Sequence, residues 1–211
     1  MLRARVVFLA LLAVICVSAV SASAASAAEY EEILTVGSTL TAVAKGNQVL
    51  VATDKEETKK SVTVTCKALK LKNGKVKTKT EWLGKVEYEK CEVGGLTATV
   101  TNGCESLFHL VVGTKTATVD IVPAGCVIEI KVVATGCLIK IKGAQLGLKI
   151  VKLENLKVDT GENTGEFEMI EEVSNIAFET ATGKACGYTK DAVTGTAVLK
   201  ASLVATGADL K

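Results

Sequence analysis

Two neighbouring runs of alternating side chains constrain this chain more than any other feature. Cys126, Ile128, Ile130 and Val132 alternate with Glu129 and Lys131; Cys137, Ile139 and Ile141 alternate with Lys140 and Lys142. A period of two belongs to a strand with one buried and one wet face. The residues between the runs, 133–136, include Thr135-Gly136, so the pair reads as an antiparallel hairpin. With Val132 opposite Cys137, Ile130 faces Ile139, Ile128 faces Ile141, and Cys126 falls opposite Gly143. The apolar sets then share one side, as they also would after a slip of two residues. In this register Cys126 and Cys137 lie about 16 Å apart along the sheet, at a rise of about 3.3 Å per residue. A disulfide needs Cα atoms within about 7 Å, so these two cysteines are expected not to bond to each other.

The same alternation recurs elsewhere. Val62, Val64, Cys66 and Ala68 alternate with Thr and Lys, and Ala117, Val119 and Ile121 with Thr and Asp. Further strands are expected near 48–53, 81–88, 96–101, 107–112, 148–153 and 194–204. Residues 166–178 fit two templates. A helix would group Phe167, Ile170 and Ser174; a strand would put Phe167 and Met169 inside and Glu166 and Glu168 outside. The strand is preferred, because Ile176-Ala-Phe178-Glu-Thr180 continues as one. Short strands separated by Gly, Asn and Thr turns predict an all-β fold: a disulfide-stabilised antiparallel sandwich or barrel-like domain. Pro123 is the only proline, so no proline-rich linker divides the chain. Residues 51–211 read as a single β-rich domain and 29–50 as a mobile leader.

Residues 1–28 read as a signal peptide. Arg3 and Arg5 precede an apolar run from Val6 to Val20, and an Ala/Ser stretch ends with Ser26 and Ala28 at the spacing a cleavage site prefers. Cutting is expected between Ala28 and Glu29. An uncleaved anchor would need about 20 predominantly apolar residues, and the last third of this stretch is mostly Ser and Ala. Stable membrane insertion is therefore not expected once the segment is removed, and the mature protein is expected to be secreted or held on the extracytoplasmic surface. Cys16 leaves with the discarded segment.

The six remaining cysteines are Cys66, Cys91, Cys104, Cys126, Cys137 and Cys186. An even number in an exported chain reads as a disulfide framework. Zinc would want ligand pairs such as C-x2-C, and the closest cysteines here are Cys126 and Cys137. Cys91 and Cys104 flank the Gly94-Gly95 turn and are the expected local pair. Cys126 and Cys137 should each reach a different strand, with Cys66 and Cys186 as candidates.

Removing the signal segment also removes both arginines, which leaves lysines equal in number to the 23 acidic residues. A nucleic-acid partner is not expected, since such a domain carries a basic excess. Charge is nonetheless uneven. Residues 55–90 hold eleven lysines against five acids, and residues 154–191 hold nine acids against three lysines. Solvated strand faces explain this most simply; a basic face meeting an acidic envelope polymer, or another surface protein, is the sharper reading.

Catalytic sets are hard to assemble. The only imidazole is His109, on an expected strand, and a Ser-His-Asp or Cys-His enzyme depends on one. G-x-S-x-G, H-E-x-x-H, G-x-G-x-x-G and P-loop patterns do not occur. Glu166, Glu168, Glu171 and Glu172 are the densest acidic group, and a glycosidase needs only two carboxyls at the right separation. The stretch from Asp159 to Glu166 has a passing likeness to a calcium loop but puts Gly161 where a ligand should stand. No cofactor is expected.

A Cys-x12-Cys block from Cys91 to Cys104, Val119-Asp-Ile-Val-Pro-Ala-Gly-Cys126 followed by alternating Ile, and Ala185-Cys-Gly-Tyr188 carry a likeness. With these motifs the chain resembles a group of uncharacterised exported proteins of high-GC Gram-positive bacteria. The resemblance implies export and a β-rich disulfide fold, and it carries no activity or functional residue. Together these readings predict a non-enzymatic exported protein, a structural or binding module of the cell surface or medium. The alternatives are a secreted carboxylate-dependent hydrolase, or an inhibitor working through an exposed loop or sheet edge.

Overall fold

The alternation becomes strands nearly everywhere it occurs. The computed structural model describes residues 36–111, 114, 116–157 and 165–208, so the expected signal segment lies outside the described residues. It contains twelve strands: β1 (Thr39–Ala44), β2 (Gln48–Asp54), β3 (Ser61–Thr78), β4 (Glu81–Val93), β5 (Leu96–Asn102), β6 (Glu105–Leu110), β7 (Thr116–Val122), β8 (Val127–Val132), β9 (Cys137–Lys142), β10 (Gln145–Lys157), β11 (Gly165–Thr180) and β12 (Val193–Ala208). One short helix, α1 (Gly183–Cys186), stands between the last two.

In space these act as eight strands. β1 and β2 both run along β12 on one side and β3 on the other. β5 and β6 both pair with β4, β8 and β7 pair in turn with β5 and β6, and β9 and β10 with β8 and β7. Each of these four couples is one long strand interrupted at mid-height. β3, β4, β11 and β12 run uninterrupted. Chain neighbours pair all the way round, β10 and β9 meet β11, and β12 returns to β1 and β2. The result is a closed eight-stranded up-and-down antiparallel barrel.

The interruptions lie side by side and are tied together. Gly103 N–H donates to the Val127 carbonyl, Gly143 N–H to Cys126 and Ala144 N–H to Ile121, at 2.8–2.9 Å. A disulfide joins Cys104, in the gap between β5 and β6, to Cys126, in the gap between β7 and β8. Gly143 has to be glycine here, because a Cβ would run into the Pro123 carbonyl oxygen and the Cys126 sulfur.

Side chains fill both ends of the barrel. At one end Trp82 and Phe108 stack with centroids 4.9 Å apart, beside fully buried Leu40 and Met169. At the other, the segment carrying α1 crosses the opening. Cys186 is bonded to Cys137 on β9, while the Tyr188 hydroxyl donates to the Ala52 carbonyl on β2 at 2.8 Å. Outside, lysines and glutamates pair across strands: Lys70 with Glu89, Lys72 with Glu87, Lys140 with Glu129 and Lys142 with Glu179. Such exposed pairs contribute little individually. They make the outer wall polar, whereas a membrane-spanning barrel turns an apolar band outward.

The all-β, disulfide-stabilised, barrel-like expectation holds. The hairpin of β8 and β9 has the expected register, with Val132 opposite Cys137, Ile130 opposite Ile139 and Ile128 opposite Ile141. Residues 166–178 are strand. Two expectations are corrected. The segment 29–50 was expected to be a mobile leader, yet its described part holds β1 and the start of β2, with Leu40 fully buried; the barrel needs this strand to close. Cys91 is not bonded to Cys104. Cys91 joins Cys66 directly across β3 and β4, Cys104 joins Cys126, and Cys137 joins Cys186. The Gly94-Gly95 turn sets Val93 opposite Leu96 and Cys91 opposite Ala98. Cys104 is six residues beyond Ala98, about 20 Å along the strand.

Candidate functional site

Midway along the barrel, between the two filled ends, the core leaves a cavity of about 70 Å³. Its wall is largely apolar, with Val86, Val100, Ile128, Ile130, Ile141 and Val173 among the lining side chains. Five polar side chains interrupt that wall: Gln48 from β2, Tyr88 from β4, Asn102 at the end of β5, Ser106 from β6 and Glu171 from β11.

Strand parity puts Glu171 there. Met169, Glu171 and Val173 point inward, and only after Val173 does an irregularity shift the register, so that Ile176 and Phe178 continue the inward set. Asn175, with φ of 63°, marks that irregularity. Glu171 is 8% exposed and has neither a hydrogen-bond nor an ion-pair partner among the described residues. Burial in apolar surroundings pushes its carboxyl up to about 7. The Tyr88 phenol is held above its usual range by burial first and by the charge of Glu171 second.

Gln48 is 1% exposed. Its Nε2 donates to the Gly46 carbonyl at 2.6 Å, and its Oε1 has no partner. Asn102 is satisfied: its Nδ2 donates to the Val86 carbonyl at 2.7 Å and its Oδ1 accepts from Cys104 N–H at 2.8 Å. The cavity therefore presents two buried acceptors with spare capacity, Glu171 and Gln48, together with the Tyr88 and Ser106 hydroxyls, on a largely apolar wall. An unpaired buried polar atom typically costs about 1–3 kcal/mol, so this arrangement is maintained against stability.

The acidic group singled out from the sequence is dispersed. Glu168 binds Lys45 at 2.8 Å and accepts from the Ser202 hydroxyl at 3.0 Å; Glu172 pairs with Lys200 at 3.4 Å. Glu171 alone faces inward. Its position could have been read from sequence, since a strand with Phe167 and Met169 inside must put residue 171 inside too. The stretch 159–166 that resembles a calcium loop lies largely outside the described residues. The six cysteines form three disulfides, and Cys66 is part of the cavity wall.

His109 has a carboxylate at each ring nitrogen. Its Nδ1 lies 3.0 Å from Glu81 Oε1 and its Nε2 2.9 Å from Asp120 Oδ2, while Asp120 Oδ1 accepts from Gly147 N–H at 2.6 Å. These groups sit on the outer wall, half-buried, and cross-link β4, β6, β7 and β10. Both ring nitrogens are committed to carboxylates, so the imidazole has no free nitrogen to take a proton from a nucleophile. A second hollow, of about 460 Å³, lies beside the α1 segment and is lined by Asp54, Glu56, Lys140, Glu179 and Lys190. Its charges are already engaged: Asp54 Oδ1 accepts from Glu56 N–H at 2.8 Å, and Glu56 pairs with Lys190, Glu179 with Lys142 and Lys140 with Glu129. The lysine-rich stretch forms an exposed basic strip along β3 and the turn before it, partly neutralised by Glu87 and Glu89.

Comparison with protein-family models, curated proteins and solved structures finds no match to this chain.

Proposed function

We propose that the mature chain is an exported, non-enzymatic binding module that takes a small molecule with an apolar body into the middle of the barrel. One observation carries the reading: an apolar cavity is kept open beside an unpartnered, buried carboxyl, where a purely structural barrel would fill the space with a side chain. Eight strands enclose an interior that side chains can just fill or that can hold one small ligand. The polar outer wall and three disulfides suit a protein living outside the cytoplasm. The alternative of a carboxylate-dependent hydrolase is less favoured, because Glu168 and Glu172 of the acidic cluster are spent on lysines of the outer wall.

Xenon tests the reading directly, since apolar cavities accept it. Xenon added to the oxidised mature protein should shift the methyl resonances of Ile130, Ile141 and Val173 in a saturable way. Uniform shifts over the whole molecule, or none, would refute an accessible interior.

A further inference from the structure

We propose that the cavity is a site for a small primary ammonium on a short alkyl chain, its head held between the Glu171 carboxyl and the Gln48 side-chain carbonyl. The inference rests on the reading of the interior as a binding site and names the chemistry of what binds there.

The register sets the two acceptors on one inward row. Glu171 lies opposite Ala201 on β12, and Lys200 lies opposite Val49 on β2, which makes Gln48 the next inward residue beyond Ala201. Adjacent strands are about 4.8 Å apart, so the two backbones stand about 10 Å apart with a single methyl group between them. The small Ala201 puts no bulky side chain between them, and both line the same cavity. Both are more than nine-tenths buried, and among the described residues Glu171 has no hydrogen-bond or ion-pair partner and Gln48 Oε1 no donor.

Ligand polarity follows from this imbalance. The Tyr88 and Ser106 hydroxyls on the wall can donate or accept, but its one charge is the Glu171 carboxylate, so the site favours a head that donates and is cationic. An ammonium carries three donors and a charge opposite to that of the carboxylate. No Lys, Arg or His lines the cavity, so an anionic head would meet Glu171 with nothing to offset it. An alcohol brings one donor and leaves one acceptor short. Size follows from the volume: about 70 Å³ is roughly half of the ~150 Å³ of a cavity that takes benzene, which suits a short alkyl amine and not a long chain.

Protonation of Glu171 tunes the site. Its carboxyl, buried and with a pKa of about 7, is charged at pH 8.5 and about nine-tenths protonated at pH 6.0. Tyr88 is the other titratable side chain on the cavity wall and stays protonated throughout this range; Cys66 is held in its disulfide. An alkylammonium, like the lysine head with its pKa of about 10.4, keeps its charge at both pH values.

The test is a methyl-detected titration of the oxidised mature protein with ethylamine, ethanol and acetate, run at pH 8.5 and 6.0 on the parent and on Glu171→Gln. Xenon serves in every sample as the probe of cavity access. At pH 8.5 ethylamine should bind at least tenfold more tightly than ethanol or acetate, and lowering the pH to 6.0 should weaken it about tenfold. In Glu171→Gln the preference for ethylamine over ethanol should vanish while xenon still enters. Ethanol or acetate binding as tightly as ethylamine overturns the proposal, as does a preference for ethylamine that survives Glu171→Gln. If xenon enters and none of the three organic probes binds, the ammonium assignment falls and the interior-binding reading stands. If xenon is excluded as well, both fall together.

Discussion

Replacing Glu171 by glutamine should turn a pH-sensitive barrel into an insensitive one between pH 4.5 and 7. In the unfolded chain this carboxyl titrates at its ordinary value of 4.5; in the barrel, burial raises it to about 7. Below 4.5 both states keep the proton, and the residue adds no pH dependence. Between the two values the unfolded chain releases the proton and the folded one retains it, so the folded state binds more protons and stability falls as pH rises. Above about 7 both states are ionised and the loss levels off. Each pH unit of that window is worth about 1.36 kcal/mol, which makes the total about 3 kcal/mol. Tyr88 does not contribute, because it remains protonated across the window. The assay is urea unfolding at half-unit steps from pH 4 to 8.5, without reductant, on the parent and Glu171→Gln. The difference in unfolding free energy between the two should grow in favour of the glutamine variant by about 3 kcal/mol from pH 4.5 to 7. A difference that stays flat, or that grows toward acid pH, would refute the argument. It would mean that Glu171 is solvated or paired in the folded protein.

Non-reducing peptide mapping should recover Cys66 with Cys91, Cys104 with Cys126 and Cys137 with Cys186; any Cys91–Cys104 peptide would contradict the pairing of β4 with β5. Replacing Cys137 and Cys186 by alanine opens a loop of sequence separation 49, for which chain entropy predicts a loss of about 4 kcal/mol, measurable by denaturant unfolding. Gly143→Ala forces a methyl group against Pro123 and Cys126 and should cost about 1–3 kcal/mol, seen as a lowered melting temperature by circular dichroism. His109→Ala should cost no more than about 1 kcal/mol, since its ion pairs are half-exposed and Asp120 keeps its bond to Gly147. A loss well above that would give the outer-wall cluster a structural weight its exposure does not explain.

Local pairing was legible where alternation was strong and a turn was close by. The hairpin of β8 and β9 satisfies both conditions, and its register could be read residue by residue. Strand breaks were not legible. Residues 103–104 and 123–126 interrupt strands without ending them, and nothing in the local sequence distinguishes such a gap from a true turn. Cys104 and Cys126 both sit in gaps, so their partnership depends on two breaks lying side by side across the sheet. The Cys91–Cys104 expectation failed on grounds already at hand: the strand-rise argument that separates Cys126 from Cys137 also separates Cys91 from Cys104 once Gly94-Gly95 is taken as a tight turn. β1 was missed because its inward residues, Leu40, Ala42 and Ala44, include two alanines and give a faint apolar signal. Its place is fixed by tertiary closure against β12 and β3. The cavity was invisible for a related reason. Parity could have put Glu171 inside, but no sequence pattern says how much room eight strands leave around it.

Ring closure also bears on how this protein can meet other chains. An open sheet offers at each margin a row of unsatisfied N–H and C=O groups, to which a foreign strand can add; inhibitors and fibrils both grow that way. Here every strand among the described residues has a neighbour on either side. Of the two routes by which an inhibitor of this shape could grip a partner, strand addition is therefore closed, and the loops at the rims are what remain. The same closure leaves a second copy of the chain no sheet margin on which to build.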